Sequence, residues 1–273
     1  MAEHNRRRSL ADVLGVEAWH KRFSAKVEKA DLHVDVVFQG DARLGGGETD
    51  DVRFRLGLRR ADVVVVIPPG EPARIDPSSV ARDAPGKTIS LKETIASSRK
   101  GKVGGKAGAK AGHGVGLNLG LTIAGEAAAS REQAMVIKRQ LAGMTLIHSQ
   151  TENGEHRWTV ATADGDALFG RPWDATKQPR LKIVDIRGNR DGGLAPTVRV
   201  EVRCLREDLL ITDIKLKDET VWDAMKGTAL HRNRVAAAEA LIRTLLFDAG
   251  LVHGDISDPY AQMTLASVVA ESL

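Results

Sequence analysis

The chain has one cysteine, Cys204, in 273 residues. A lone thiol cannot close an intrachain disulfide, which favours a reducing compartment. One cysteine also cannot build a zinc cluster. Aromatic residues make up only 4% of the chain, so the core must be assembled from Val, Leu, Ile and Ala. The same scarcity argues against recognition of single-stranded nucleic acid by stacking. No segment reaches the roughly 20 apolar residues of a membrane-spanning helix. The start, MAEHNRRRSLADVLGVEAW, lacks the uninterrupted apolar stretch and small-residue cleavage site of a secretory signal. The expected location is therefore the cytoplasm, with membrane association as an alternative. Charge is only mildly one-sided: the net charge is +4 and the isoelectric point about 9.2. That is compatible with anionic partners without requiring nucleic acid.

What the sequence does have is alternation. Leu32, Val34, Val36 and Phe38 repeat at a spacing of two, as do Phe54, Leu56 and Leu58 between arginines. Each pattern predicts a strand with one buried face. Val63 to Ile67 is continuously apolar and predicts a strand buried on both faces, stopped by Pro68-Pro69-Gly70. Asn153-Gly154 between 144–150 and 156–161 predicts a hairpin with a type I′ turn. That turn sets Ile147 opposite Val160, Ser149 opposite Trp158 and His148 opposite Thr159. Residues 181–187 predict a further strand. In 197–204, Val198, Val200, Val202 and Cys204 face inward and Arg199, Glu201 and Arg203 outward, with 209–216 returning beside them. Residues 40–51 read as a loop.

Helices are expected at the two ends. Ser9 ahead of Leu10, Val13, Leu14 and Trp19 predicts a capped N-terminal helix within 1–24. Thr228 to about Ala249 predicts a second, ended by Gly250. Asp258-Pro259 predicts a last one reaching Leu273, with Met263, Ala266, Ala270 and Leu273 as its apolar stripe. The fold expected is mainly β with flanking α-helices: an antiparallel β-sandwich or open barrel over 25–226, carrying a C-terminal helical pair over 227–273.

No motif fixes a reaction. Ala81-Arg-Asp-Ala-Pro-Gly86-Lys87-Thr88 loosely fits a phosphate loop, but the residues after Thr88 alternate like a strand and Pro85 removes a backbone donor. The eight histidines form no HxH, HxxxH or HExxH spacing, and His148 and His156 fall out of register in the expected hairpin. Asp258 beside His253 and Asp255 reads as a cap, and Asp164-Gly-Asp166 as a turn. No GxSxG elbow is present. The sequence therefore marks no catalytic, cofactor-binding or metal-binding residue, and implies no small-molecule substrate.

One stretch departs from ordinary globular composition: RKGKVGGKAGAKAGHGVGLNLGLTIAG, residues 99–125. Within a Gly/Lys loop over 97–114, Arg99, Lys100, Lys102, Lys106 and Lys110 are the candidate contacts for an anion or partner. Val115, Leu117, Leu119, Leu121 and Ile123 then alternate with small or polar residues, at the length and pattern of a membrane-spanning strand. They are the candidate membrane-facing residues. GKVGGKAGAKAG resembles in composition the glycine-rich stems of β-barrel pore-forming toxins. The resemblance covers only this short low-complexity stretch. The alternation and the basic linker together give the expectation of a hairpin over 88–125 inserting into anionic membrane. The main expectation is a non-enzymatic binding or assembly protein, acting through self-association or a protein partner. Membrane perforation is the first alternative. Nucleic-acid backbone binding through Arg6–Arg8, the basic loop, and Arg199 and Arg203 is the second.

Overall fold

The computed structural model describes residues 6–8, 10–48, 50–82, 144–162, 165–189, 194–217 and 228–273. Their fold is mainly β and sandwich-like, with no closed barrel. A six-stranded sheet runs in the order β1 (Arg6–Arg8), β14 (Gln262–Val269), β12 (Arg199–Leu205), β6 (Arg60–Val66), β9 (His156–Thr162) and β8 (Met144–Gln150). A second sheet runs β15 (Glu271–Ser272), β2 (Leu14–His20), β3 (Lys29–Gln39), β11 (Leu181–Asp185) and β7 (Ala73–Asp76), and β10 (Phe169–Gly170) also pairs with β3. A third has three strands: β13 (Leu209–Leu216), β5 (Val52–Leu58) and β4 (Ala42–Gly45).

The alternating segments bury the expected faces. In β3, Leu32, Val34, Val36 and Phe38 are each at most 1% exposed. Val63 to Val66 in β6 are buried on both faces, as the continuous apolar run predicts, and β6 lies inside its sheet between β12 and β9. One continuous apolar cluster joins the three sheets to helix α1 (Thr228–Asp248). Among the helix side chains described, Ala238, Ile242 and Leu246 are fully buried, and the helix packs on β5 and β13. It ends as the sequence predicts. The Leu251 N–H bonds to the Leu246 carbonyl and the Gly250 N–H to the Phe247 carbonyl, with Gly250 at φ +63°. This is a Schellman end, with the apolar pair Leu246 and Leu251 buried beside it.

Five expectations need correction. The N-terminal helix is a single turn, in which the Val13 and Leu14 N–H groups bond back to Leu10, and the chain then continues as strand β2. Leu14, Val16 and Ala18 satisfy a spacing of two as well as Leu10, Val13 and Leu14 satisfy a helical one, and pairing with β3 selects the strand. The last helix is likewise a strand. Asp258 instead builds a turn, accepting from the Tyr260 N–H at 2.9 Å, and 262–269 enters the sheet between β1 and β12. Thr264, Val268 and Val269 are β-branched and suit that place. The C-terminal helical pair is thus one helix and one central strand. The 40–51 loop contains strand β4. Residues 209–216 do not return beside β12: a short 3-10 turn at Arg206–Asp208 carries the chain into the third sheet, where β13 pairs with β5.

The hairpin forms where expected, one residue out of register. Ile147 pairs with Thr159, His148 with Trp158 and Ser149 with Arg157. The Thr151 N–H bonds to the Glu155 carbonyl and the Gly154 N–H to Thr151, and among residues 152–154 only Gly154 has positive φ, at +79°. The turn therefore spans 152–154 with glycine at its left-handed position, not the mirror-image two-residue turn.

Candidate interaction surfaces

The register of the hairpin brings together two histidines that the sequence separates. His148 lies opposite Trp158, so His148, His156 and Trp158 share the inner face of the sheet. His148 Nε2 and His156 Nδ1 are 3.0 Å apart, with ring centroids at 5.2 Å and planes 23° apart. The rings thus meet nitrogen to nitrogen: one nitrogen donates and the other accepts. Burial and the Arg82 cation hold the His156 pKa below its ordinary 6.5. His148 also lies 5.4 Å from the Trp158 ring.

Trp158 continues the line toward the second sheet. Its indole N–H donates to the Ala81 carbonyl at 2.8 Å, the Ala81 N–H to the Arg180 carbonyl, and the Arg180 N–H to the Leu32 carbonyl of β3. The Arg180 guanidinium, in a residue 1% exposed, stands 4.5 Å from the Trp173 ring centre and 5.9 Å from that of Trp158. This seam is internal. It joins two sheets and presents no surface to a partner.

The outer face of the six-stranded sheet is charged but paired with itself. Glu201 forms an ion pair with Arg199 at 2.7 Å and accepts a hydrogen bond from Arg203 at 2.8 Å, and Arg203 also reaches Glu155 at 3.1 Å. Asp62 accepts from the Thr159 hydroxyl at 2.6 Å and lies 3.6 Å from Arg157. At the end of β6, Arg60 meets Asp208 at 3.2 Å beside a polar cleft of about 190 Å³ that Cys204 also lines. Burial raises the Asp208 pKa against the pull of Arg60. Cys204 is 4% exposed, and burial pushes its thiol pKa up, with Asp208 and Asp62 adding to the effect. It is a core residue, as its place in the alternation predicts. Arg199 and Arg203, proposed from the sequence as contacts for a nucleic-acid backbone, are bound to carboxylates of their own sheet.

Exposed apolar side chains are scattered, among them Ile147 on β8 and Leu194, and several lie on and near α1. Along the solvent side of α1, Ala236, Ala240, Thr244 and Phe247 are all exposed. Their spacing of four, four and three keeps them on one stripe. Arg243 and Asp248 flank it. Phe247 is 74% exposed, Val252 just past the helix 78%, and Tyr260 in the turn before β14 74%.

Among the described residues, no group of three or more His, Cys, Asp or Glu side chains could hold a metal ion, and no helix is long and apolar enough to cross a membrane. The His253 ring bonds to its neighbour's carbonyl, and Asp255 caps Ser257. Arg99, Lys100, Lys102, Lys106 and Lys110 lie outside the described residues, as do Val115, Leu117, Leu119, Leu121 and Ile123 and most of the loose phosphate-loop match. The histidine pair and the apolar stripe of α1 were both missed in the sequence. The first depended on a one-residue register. The second was visible as Ala236, Ala240, Thr244 and Phe247 on the side of the helix opposite Ala238 and Ile242. No protein-family model, curated protein or solved structure matches the chain.

Proposed function

We propose that the chain is a non-catalytic binding or assembly protein, built on a sandwich-like β scaffold, that makes its contacts through the solvent side of α1 and the turn leading into β14. The observation that carries this reading is the exposure of Phe247 and Tyr260, 74% each, in a chain that is only 4% aromatic. Tyr260 is its one tyrosine. Large aromatics are enriched at interfaces and depleted from free surface. The solvent side of an ordinary amphipathic helix carries charge, whereas here Ala236, Ala240 and Thr244 leave room for a close neighbour. The single cysteine, buried in the core, is consistent with a cytoplasmic location.

Sedimentation of the intact chain against a Phe247→Glu/Tyr260→Glu double variant tests this. Both side chains are exposed, so the variant should keep the unfolding midpoint of the parent. It should lose the parent's concentration-dependent association, or the protein that co-purifies with it. Identical sedimentation and identical co-purifying protein for the two chains would overturn the proposal.

A further inference from the structure

On the outer face of the three-stranded sheet, strand pairing sets cations directly opposite one another. β5 alternates, so Val52, Phe54 and Leu56 are buried while Arg53 and Arg55 point outward. Pairing with β4 sets Arg43 opposite Arg55, and pairing with β13 sets Lys215 opposite Arg53. Like charges directly opposite one another on one face of an antiparallel pair are destabilising.

The two pairs differ in what relieves them. Arg55 meets Asp41 at 2.5 Å and Asp213 at 3.7 Å. Arg53 has no carboxylate within ion-pair distance among the described residues. Among the described residues Lys215 reaches only Asp213, at 3.6 Å, and that carboxylate is shared with Arg55 and half exposed. Beside them Lys217 donates from Nζ to the Glu48 carbonyl, which leaves it further N–H donors.

The glycine turn between β4 and β5 closes the space above this pair. A Cβ on Gly45 would collide with the Val52 carbonyl, and one on Gly46 would lie 3.0 Å from Cδ of Arg53. The turn therefore packs directly on the arginine stem. Gly46, Gly47, Asp50, Arg53, Lys215 and Lys217 line the resulting cleft, of about 290 Å³. Asp50 is the one carboxylate in that lining, and it is turned onto the Gly47 N–H at 2.9 Å.

We propose that this cleft binds a small phosphorylated ligand, with Arg53, Lys215 and Lys217 holding its phosphoryl group. A doubly charged oxyanion would neutralise the Arg53–Lys215 repulsion. The guanidinium offers the planar fork that binds phosphate through two bonds, and the lysines add point charges. Local electrostatic conflict in an otherwise consistent fold marks positions kept for function. The cleft has the size of a small-molecule site. A nucleic-acid backbone would need an unbroken run of free cations, and Arg55, the next on β5, is already held by Asp41 and Asp213. The site is separate from the apolar stripe of α1 and stands or falls independently of it.

Calorimetric titration of the full chain with inorganic pyrophosphate tests the proposal, with sodium sulfate at matched ionic strength as control. Pyrophosphate should bind saturably and more tightly than sulfate, which has less charge and fewer acceptor oxygens. Arg53→Glu should weaken pyrophosphate by about tenfold or more. The same change turns the repulsive pair into an opposite-charge pair with Lys215, so the ligand-free unfolding midpoint should hold or rise. That separates loss of the site from loss of the fold. Lys217→Gln should weaken binding with the midpoint unchanged. Equal responses to pyrophosphate and sulfate, unchanged affinity in Arg53→Glu, or tighter Arg53-dependent binding of a short DNA duplex would each overturn it.

Discussion

Trp158→Phe probes the tie between the two larger sheets. Trp158 is fully buried in β9, and its N–H starts the hydrogen-bonded path through Ala81 and Arg180 to Leu32 of β3. Phenylalanine keeps an aromatic face near Arg180 and removes two things. The first is the bond to the Ala81 carbonyl, a net loss of about 1 kcal/mol. The second is the ring volume by which indole exceeds phenyl, worth about 2 kcal/mol in transfer and cavity terms. The sum, about 3 kcal/mol, corresponds to a midpoint about 6–12 °C lower for a body of this size. Thermal unfolding followed by circular dichroism reads it directly. Trp19→Phe is the comparison, because Trp19 is only half-buried and stacks on His33 at 5.5 Å. It should lower the midpoint by less than half as much. If Trp158→Phe shifts the midpoint by under about 2 °C, or no more than Trp19→Phe, the path through Ala81 does not hold the sheets together.

Two further outcomes follow from buried titratable groups. His156 and His20 both have pKa values held below the ordinary 6.5, His156 by burial and Arg82, His20 by burial against a weaker opposing bond to the Lys21 carbonyl. The unfolded chain then takes up more protons than the native one as pH falls through 6.5. Their contribution to stability is complete above that value and is lost as pH falls toward the folded-state values. Urea midpoints should decline from pH 8 to pH 5 and decline less in His156→Gln; a midpoint flat across that window would refute buried neutral imidazoles. Cys204, 4% exposed with its thiol pKa raised by burial, should resist a thiol reagent at pH 8 in the native chain and react once in denaturant. Rapid labelling of the native protein would contradict its place in the core.

Legibility in the sequence followed the uniqueness of the period. β3 alternates, which no helical period matches, and β6 is a short run of β-branched residues stopped by Pro68-Pro69-Gly70, so both strands were readable. In 10–20 and 258–273 the apolar residues satisfy two periods at once. There the choice was made by sheet partners, the next strand β3 for β2 and the distant β12 for β14. Asn153-Gly154 announced a turn without saying whether both residues or only the glycine adopt positive φ, and that one ambiguity hid the His148–His156 contact. The cationic cleft was illegible for a related reason. Arg53 and Lys215 meet only through the β5–β13 ladder, and the sequence placed residues 209–216 beside the wrong strand.

The two charged sheet faces also call for opposite responses to salt. On β12 a carboxylate sits between two arginines, so Arg199, Glu201 and Arg203 neutralise one another along a single strand. On β5 the residue between Arg53 and Arg55 is the buried Phe54, so relief must come from other strands, and two of those bring Arg43 and Lys215 instead. The repulsion at Arg53 is exposed to solvent and therefore open to screening. Raising ionic strength from about 0.01 M to about 1 M shortens the Debye length from about 30 Å to about 3 Å. Any stability gained by Arg53→Glu should be largest at low salt and should fade across that range. The loss from Trp158→Phe, which rests on packing and a neutral hydrogen bond, should not. Chemical unfolding by urea, which is uncharged, at three salt concentrations distinguishes the two. A gain from Arg53→Glu that survives 1 M salt would mean that like-charge repulsion is not what strains this sheet, and the case for an anion there would lose its main physical support.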